Sequence, residues 1–234
     1  MEIELSLVLS LLFAIQTPAP RPQSPSSGAS REPALTVPLR DVVESERAFA
    51  RLSVEKGQRA ALLAFFADDA LLFGPEPVNA KKAIDAWPVV SAAVLDREPR
   101  FAGVSDDGTL GYTTGPWLRT AKTGEPPAAA SGWYFTIRRQ QPDGCWQVAV
   151  DVGIDSPPAG ALRPVAVTVA PRSTNLTATD ARGLPGVDQL CARVLETTGA
   201  PSAFTARGTD TVRVYRNGLA PMSGRPSAGA HRPI

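Results

Sequence analysis

Between residues 41 and 66 the apolar positions recur with a helical period. Val42, Ser45, Phe49 and Leu52 stand at i, i+3, i+7 and i+10, one face of a helix opened by Asp41 and stopped at Gly57. Ala61, Leu62, Phe65 and Phe66 form the stripe of a second, shorter helix that starts at Gln58. Asp68-Asp69 breaks that pattern, and Ala70 to Phe73 reads as a short strand closed by Gly74-Pro75. Asn79 is placed to cap a third helix carrying Ala80, Ala83, Ile84 and Trp87 on one side, with Pro88 at its end. Thereafter the period is two. Strands are predicted over 100–105, 110–114, 132–139 and 145–154, with Asp106-Asp107-Gly108 and Pro142-Asp143-Gly144 as turns.

The alternation puts Trp133, Phe135 and Ile137 on one face of their strand, and Trp146, Val148, Val150, Val152 and Ile154 on one face of the next. The helices are expected to seal that tryptophan-bearing face of an antiparallel sheet. Asp151 then points outward, and Arg138 and Arg139 project to opposite faces, one solvated and one at an edge or interface. Helix, helix, strand, helix and meander give an α+β fold class.

The flanks differ. Leu5 to Ile15 is an apolar run of eleven residues, too short to span a bilayer but of the length of a signal-peptide core, although Glu2 and Glu4 stand where positive charge is usual. Residues 1–19 are therefore expected to be a signal peptide, cleaved between Gln16 and Pro20, which implies a periplasmic or secreted protein. Residues 20–38 form a Pro-rich tether that lacks the apolar surface to offset its ordering entropy.

The formal net charge of +1 removes the electrostatic case for nucleic acid or a charged membrane surface as the main partner. Residues 39–156 hold 13 basic and 16 acidic side chains, net −3, and twelve of the fifteen aromatics, which marks them as the folded domain. From Pro157 onward nine arginines face four acids, net +5, the pattern of a solvated surface. With one histidine, His231, and two cysteines, Cys145 and Cys191, most zinc sites, Ser-His-Asp triads and Cys-His dyads are excluded. Pairing of Cys145 with Cys191 requires the tail to dock on the domain; two free thiols are the simpler expectation.

The segments FFADDALLFGP, GYTTGPW, GWYFTIRRQQPDG and CWQVAVDVGI, in this order and context, resemble a SnoaL-like member of the nuclear transport factor 2-like superfamily, in its branch of uncharacterised bacterial proteins. The resemblance covers about residues 40–156 and implies a cystatin-like cone, three helices packed on a curved antiparallel sheet. Arg138 departs from the tryptophan frequent in that branch. The ketosteroid isomerases of the superfamily use a tyrosine on the first helix and an aspartate after the ADDA strand. Here Phe49-Ala50 and Phe73-Gly74 occupy those regions, so the carboxylate base and the neutral donor of that chemistry are both missing. The polar and aromatic candidates for a ligand pocket in such a cone are Asp69, Glu76, Tyr112, Thr114, Trp117 and Trp133.

A constant shift of 142 sets Glu46–Leu52 on Asp188–Val194, Gly57 on Gly199, Asp68 on Asp210 and Phe73 on Tyr215. Residues 183–234 thus look like the opening of a second, incomplete copy of the domain, joined by a linker over 157–182. Together these features predict an exported, non-catalytic module that binds a small apolar ligand or a second copy through its sheet, without cofactor or metal. The alternatives are a pocket enzyme (isomerase, dehydratase or hydrolase-like) acting on a small apolar carbonyl compound through Tyr112 and an acid, and a truncated tandem protein with little activity left.

Overall fold

The computed structural model describes residues 36–73, 76–86, 93–121, 130–160, 162–170 and 209–224, and part of 183–197. The expected signal peptide and tether lie outside the described residues up to Leu35, as does Cys191. Helix α1 spans Val37–Lys56, so the chain becomes helical before Asp41. Pro38 sits in its first turn, where a missing N–H costs nothing and the fixed φ favours helix entry. Gly57 ends it at φ 92° and starts α2, Gln58–Phe65.

Strand β1, Phe66–Phe73, begins earlier than its apolar run because Asp68 and Asp69 lie exposed within a register irregularity between Phe66 and Leu71. It pairs with β2, Pro77–Asn79, and α3 follows over Ala80–Ala86. The capping expectation for Asn79 is met in geometry: the Lys82 N–H donates to Asn79 Oδ1 at 3.0 Å.

Five further strands complete the main sheet: β3 (Ala93–Arg97), β4 (Phe101–Val104), β5 (Leu110–Ala121), β6 (Ala130–Gln140) and β7 (Trp146–Asp155), with a short β8 (Thr168–Val169) at one edge. The order is β2-β1-β7-β6-β5-β4-β8, and β3 pairs with the far half of β5. The meander is antiparallel, but β1 runs parallel to β7 and β8 parallel to β4, so the sheet is mixed rather than wholly antiparallel. The architecture is α+β, with helices packed against a mixed sheet. Its main apolar cluster joins Phe49, Leu62, Phe66, Ile84, Leu95 and Val148 between the helices and the inner face of the sheet.

The face assignment of β6 is corrected. Tyr134, Thr136 and Arg138 are buried beneath the helices, whereas Trp133, Phe135 and Ile137 are half-buried on the opposite face. In β7 Trp146 and Val148 do face the helices. A register shift at Ile137/Arg138 then reverses the phase, and Asp151 turns inward. The cause lies in α1, whose buried face carries Glu46 and Ser53 among its apolar residues. An inward-facing arginine and threonines complement that polar strip, and Arg138 is fully buried rather than solvated or at an edge.

Beyond β8, residues 183–197 are helical where described. β9 (Arg213–Val214) and β10 (Met222–Ser223) form a separate two-stranded hairpin.

Candidate functional site

Two buried ion pairs occupy the inner face. Arg97 at the end of β3 donates from both terminal nitrogens to the two oxygens of Asp151, each at 2.9 Å, and the Thr136 hydroxyl adds a donor to Asp151 at 2.6 Å. Arg138 donates to Glu46 at 3.0 Å, and Thr113 to the same carboxylate oxygen at 2.9 Å. The two pairs communicate, since Arg97 lies 3.6 Å from the second oxygen of Glu46. Two acids and two arginines cancel in charge, which is how ionised groups persist in a dry interior.

Aromatic rings hold the guanidinium in place. Arg97 lies 5.0 Å from the ring centre of Phe49 and 4.8 Å from that of Tyr134. Burial alone pushes the Asp151 carboxyl up, but the charge and hydrogen bonds of Arg97, with Thr136, outweigh it and hold the group below its ordinary value. Burial, then the charge of Glu46, lifts the Tyr134 phenol well above its ordinary range. Asp151 therefore stays ionised with both oxygens occupied, a poor arrangement for a general base.

The Arg97–Asp151 pair forms the floor of a cleft of about 450 Å³. Its walls are apolar: Leu72, Phe73, Val78, Ala83, Leu95 and Trp117. Trp117 lies against this wall because the two neighbouring strands present glycines there. A Cβ on Gly132 would stand 2.7 Å from the indole, and Gly153 comes next, at 3.8 Å. The Trp117 indole N–H donates to the Ile154 carbonyl at 3.2 Å, which fixes the ring. Gln58 and Arg119 add polar groups to the lining, and Arg119 is exposed with no ion-pair partner among the described residues.

Of the six residues singled out from the sequence, only Trp117 lines this cleft. Tyr112, Thr114 and Trp133 lie on the opposite, outer face of the sheet, with Tyr112 stacked on Phe135 at 5.5 Å. Asp69 is exposed on β1, paired with Arg139 at 2.8 Å, and Glu76 is exposed beside β2; neither lines the cleft. Sequence reasoning missed Arg97, Gln58 and Arg119. Asp151 carried a signal, a lone acid in a valine-rich strand, but its facing hung on the register shift. Among the described residues no cluster of His, Cys, Asp or Glu could hold a metal ion. No described helix is long and apolar enough to cross a membrane. Cys145 is exposed, its thiol pushed up by the charge of Asp143.

No protein-family model matches the chain, and no curated protein matches it. Solved structures do. A ketosteroid isomerase-like protein from Erwinia carotovora atroseptica SCRI1043 is 17% identical, with 52% of this chain and 98% of that one covered, at a TM-score of 0.41. An NTF-2-like protein of unknown function from Shewanella oneidensis MR-1 is 12% identical over 49% of this chain and 96% of its own, at 0.39. An NTF2-like protein with a cystatin-like fold from Novosphingobium aromaticivorans is 13% identical over 49% and 79%, also at 0.39.

Proposed function

We propose that the chain is a small-ligand-binding module without catalysis of its own, and that the cleft takes an amphipathic organic acid. The observation that carries this reading is the division of the cleft: apolar walls, a floor whose charges are mutually spent, and one cation, Arg119, with no ion-pair partner among the described residues. An apolar body buried against Trp117, Leu95 and Leu72 supplies the affinity, at about 25 cal/mol per Å² removed from water. A carboxylate directed at Arg119 supplies orientation through a charge-assisted hydrogen bond. The enzyme alternative needs Tyr112 and an acid to converge in one pocket, and Tyr112 stands across the sheet from this cleft.

Export to the periplasm or medium belongs to the same proposal and rests on the apolar run Leu5–Ile15 before the Pro-rich stretch. So does pairing of two copies through the sheet, which would use the aromatic outer face.

The test is thermal denaturation and Trp fluorescence of the whole chain against paired probes, medium-chain and aromatic carboxylic acids beside the matching alcohols. Acids should change the Trp fluorescence saturably and raise the melting temperature, by a free energy of about 2.7 kcal/mol at a hundred times Kd. Arg119→Ala should bring the acids down to the level of the alcohols. If no probe stabilises the chain, or if Leu95→Trp, which fills the cleft, leaves the response unchanged, the reading fails.

A further inference from the structure

The outer face of the sheet is not bare. Residues 209–224 cross it as the β9–β10 hairpin, whose strands, among the described residues, pair with each other and join no strand of the main sheet. The attachment is made by side chains and by one strand end. Tyr215 stacks on Trp133 with centroids 5.7 Å apart and planes 28° from parallel, and its hydroxyl is hydrogen-bonded to that of Thr114 at 3.1 Å. The Arg213 guanidinium lies 3.4 Å from the ring centre of Phe101. At the end of β7 the Asp155 N–H donates to Asn217 Oδ1 at 2.9 Å, and the Asp155 carbonyl accepts from the Gly218 N–H at 2.7 Å. Gly218 adopts φ 78°, which the turn requires and other residues rarely supply.

Each attachment reads a particular chemical group. The Trp133 face takes an aromatic ring, Thr114 a phenol, Phe101 a guanidinium, and the open backbone of Asp155 an Asn-Gly turn with one acceptor and one donor. Affinity from stacked rings combined with specificity from a few placed polar groups is the make-up of a peptide-recognition surface. Because no ladder joins the hairpin to the main sheet, it can leave without breaking a strand pair. Tethering keeps it bound, since a covalently attached segment acts at high effective concentration.

We propose that this outer face is a recognition site for a peptide turn of the form Arg-x-Tyr-x-Asn-Gly, and that residues 213–218 are its resident ligand, held in cis. The site is separate from the cleft of the proposed function and does not depend on it. Any pairing of two copies through this face has to displace the hairpin first.

A labelled synthetic peptide of residues 209–224 is titrated against the whole chain and against its Tyr215→Ala variant. Saturable binding to the variant, at least tenfold tighter than to the wild type, supports the site. A peptide carrying the same Tyr215→Ala change should bind neither. Equal binding to both chains, or to neither while the variant still melts cooperatively, overturns the proposal. Should the variant not melt cooperatively, hydrogen exchange in the wild-type chain decides. Asp155 and Gly218 amides that exchange slower than solvent-exposed amides but faster than the interior of β7 support a cis ligand that leaves on its own; exchange at solvent rates, or only together with the interior of β7, overturns it.

Discussion

Arg97 and Asp151 meet through two parallel 2.9 Å contacts although they stand 54 residues apart, and neither side chain is more than 5% exposed. Taking two such charges from water is expensive, and their attraction returns the cost only while both are present. Asp151→Asn should therefore destabilise the fold by about 3–5 kcal/mol, because Arg97 keeps its charge and loses its main partner. Replacing both, Arg97→Met with Asp151→Leu, should recover most of that loss. Urea denaturation of the two variants beside the wild type measures the difference. A double variant as unstable as the single one would show that the pair adds net stability of its own.

The same pair sets the acid limb of the stability curve. Asp151 has a folded-state pKa held below its unfolded value of about 3.9. Its contribution is then complete above about pH 4 and is lost as pH falls through the folded value. The stability gap between wild type and Asp151→Asn should be constant near neutrality and close in acid. Asp96 runs the other way. Burial, reinforced by the charge of Glu98, raises its pKa despite a backbone hydrogen bond that lowers it. Its ionisation therefore costs stability as pH rises above about 3.9 through the folded value. Asp96→Asn should flatten that decline, as read from melting temperatures between mildly acidic and neutral pH.

The elements stabilised by local rules were legible before any coordinates. Val42 and Phe49, two helical turns apart, report the buried side of α1, which Ser45 and Leu52 flank half-buried. Asn79 marks the cap of α3, and Gly108 and Gly144 mark turns that take φ values of 75° and 85°. What failed were inferences that depend on partners distant in sequence. Arg138 and Thr136 read as outward because alternation equates polar with solvated, an equation that Glu46 cancels by placing a carboxylate in the core. β3 went unread because Asp96 and Arg97 interrupt its apolar character, and the burial of Arg97 rests on the distant Asp151 and Glu46. The cleft is built from those same distant pairings, so the sequence candidates scattered to both faces of the sheet.

Ser53 shows how α1 fastens that unread strand. Its hydroxyl, fully buried, accepts the Leu95 N–H at 2.8 Å. Ser53→Ala leaves that N–H without a partner in a dry site, at a cost of about 1–3 kcal/mol. The loss should concentrate in β3. Amide exchange at Leu95 should accelerate more than exchange in β6, and equal acceleration in both strands would assign the effect to global stability alone.

Gly132 and Gly153 frame the Trp117 indole but should respond oppositely to a methyl group. A Cβ on Gly132 would fall 1.8 Å from the Ile154 carbonyl oxygen, a backbone atom that cannot swing aside. Gly132→Ala should cost at least about 3 kcal/mol, the upper end of ordinary overpacking, because the β6–β7 ladder itself has to shift. At Gly153 the nearest atom to a new Cβ is the Trp117 indole nitrogen at 3.8 Å, an ordinary contact on an exposed position. Gly153→Ala should be neutral or stabilise by up to about 1 kcal/mol, through the smaller entropy of the unfolded chain. Denaturation followed by Trp fluorescence reads both effects at the cleft wall. A tolerated Gly132→Ala would mean that β6 and β7 lie farther apart beside Trp117 than described, and the cleft would lose the wall that gives it its shape.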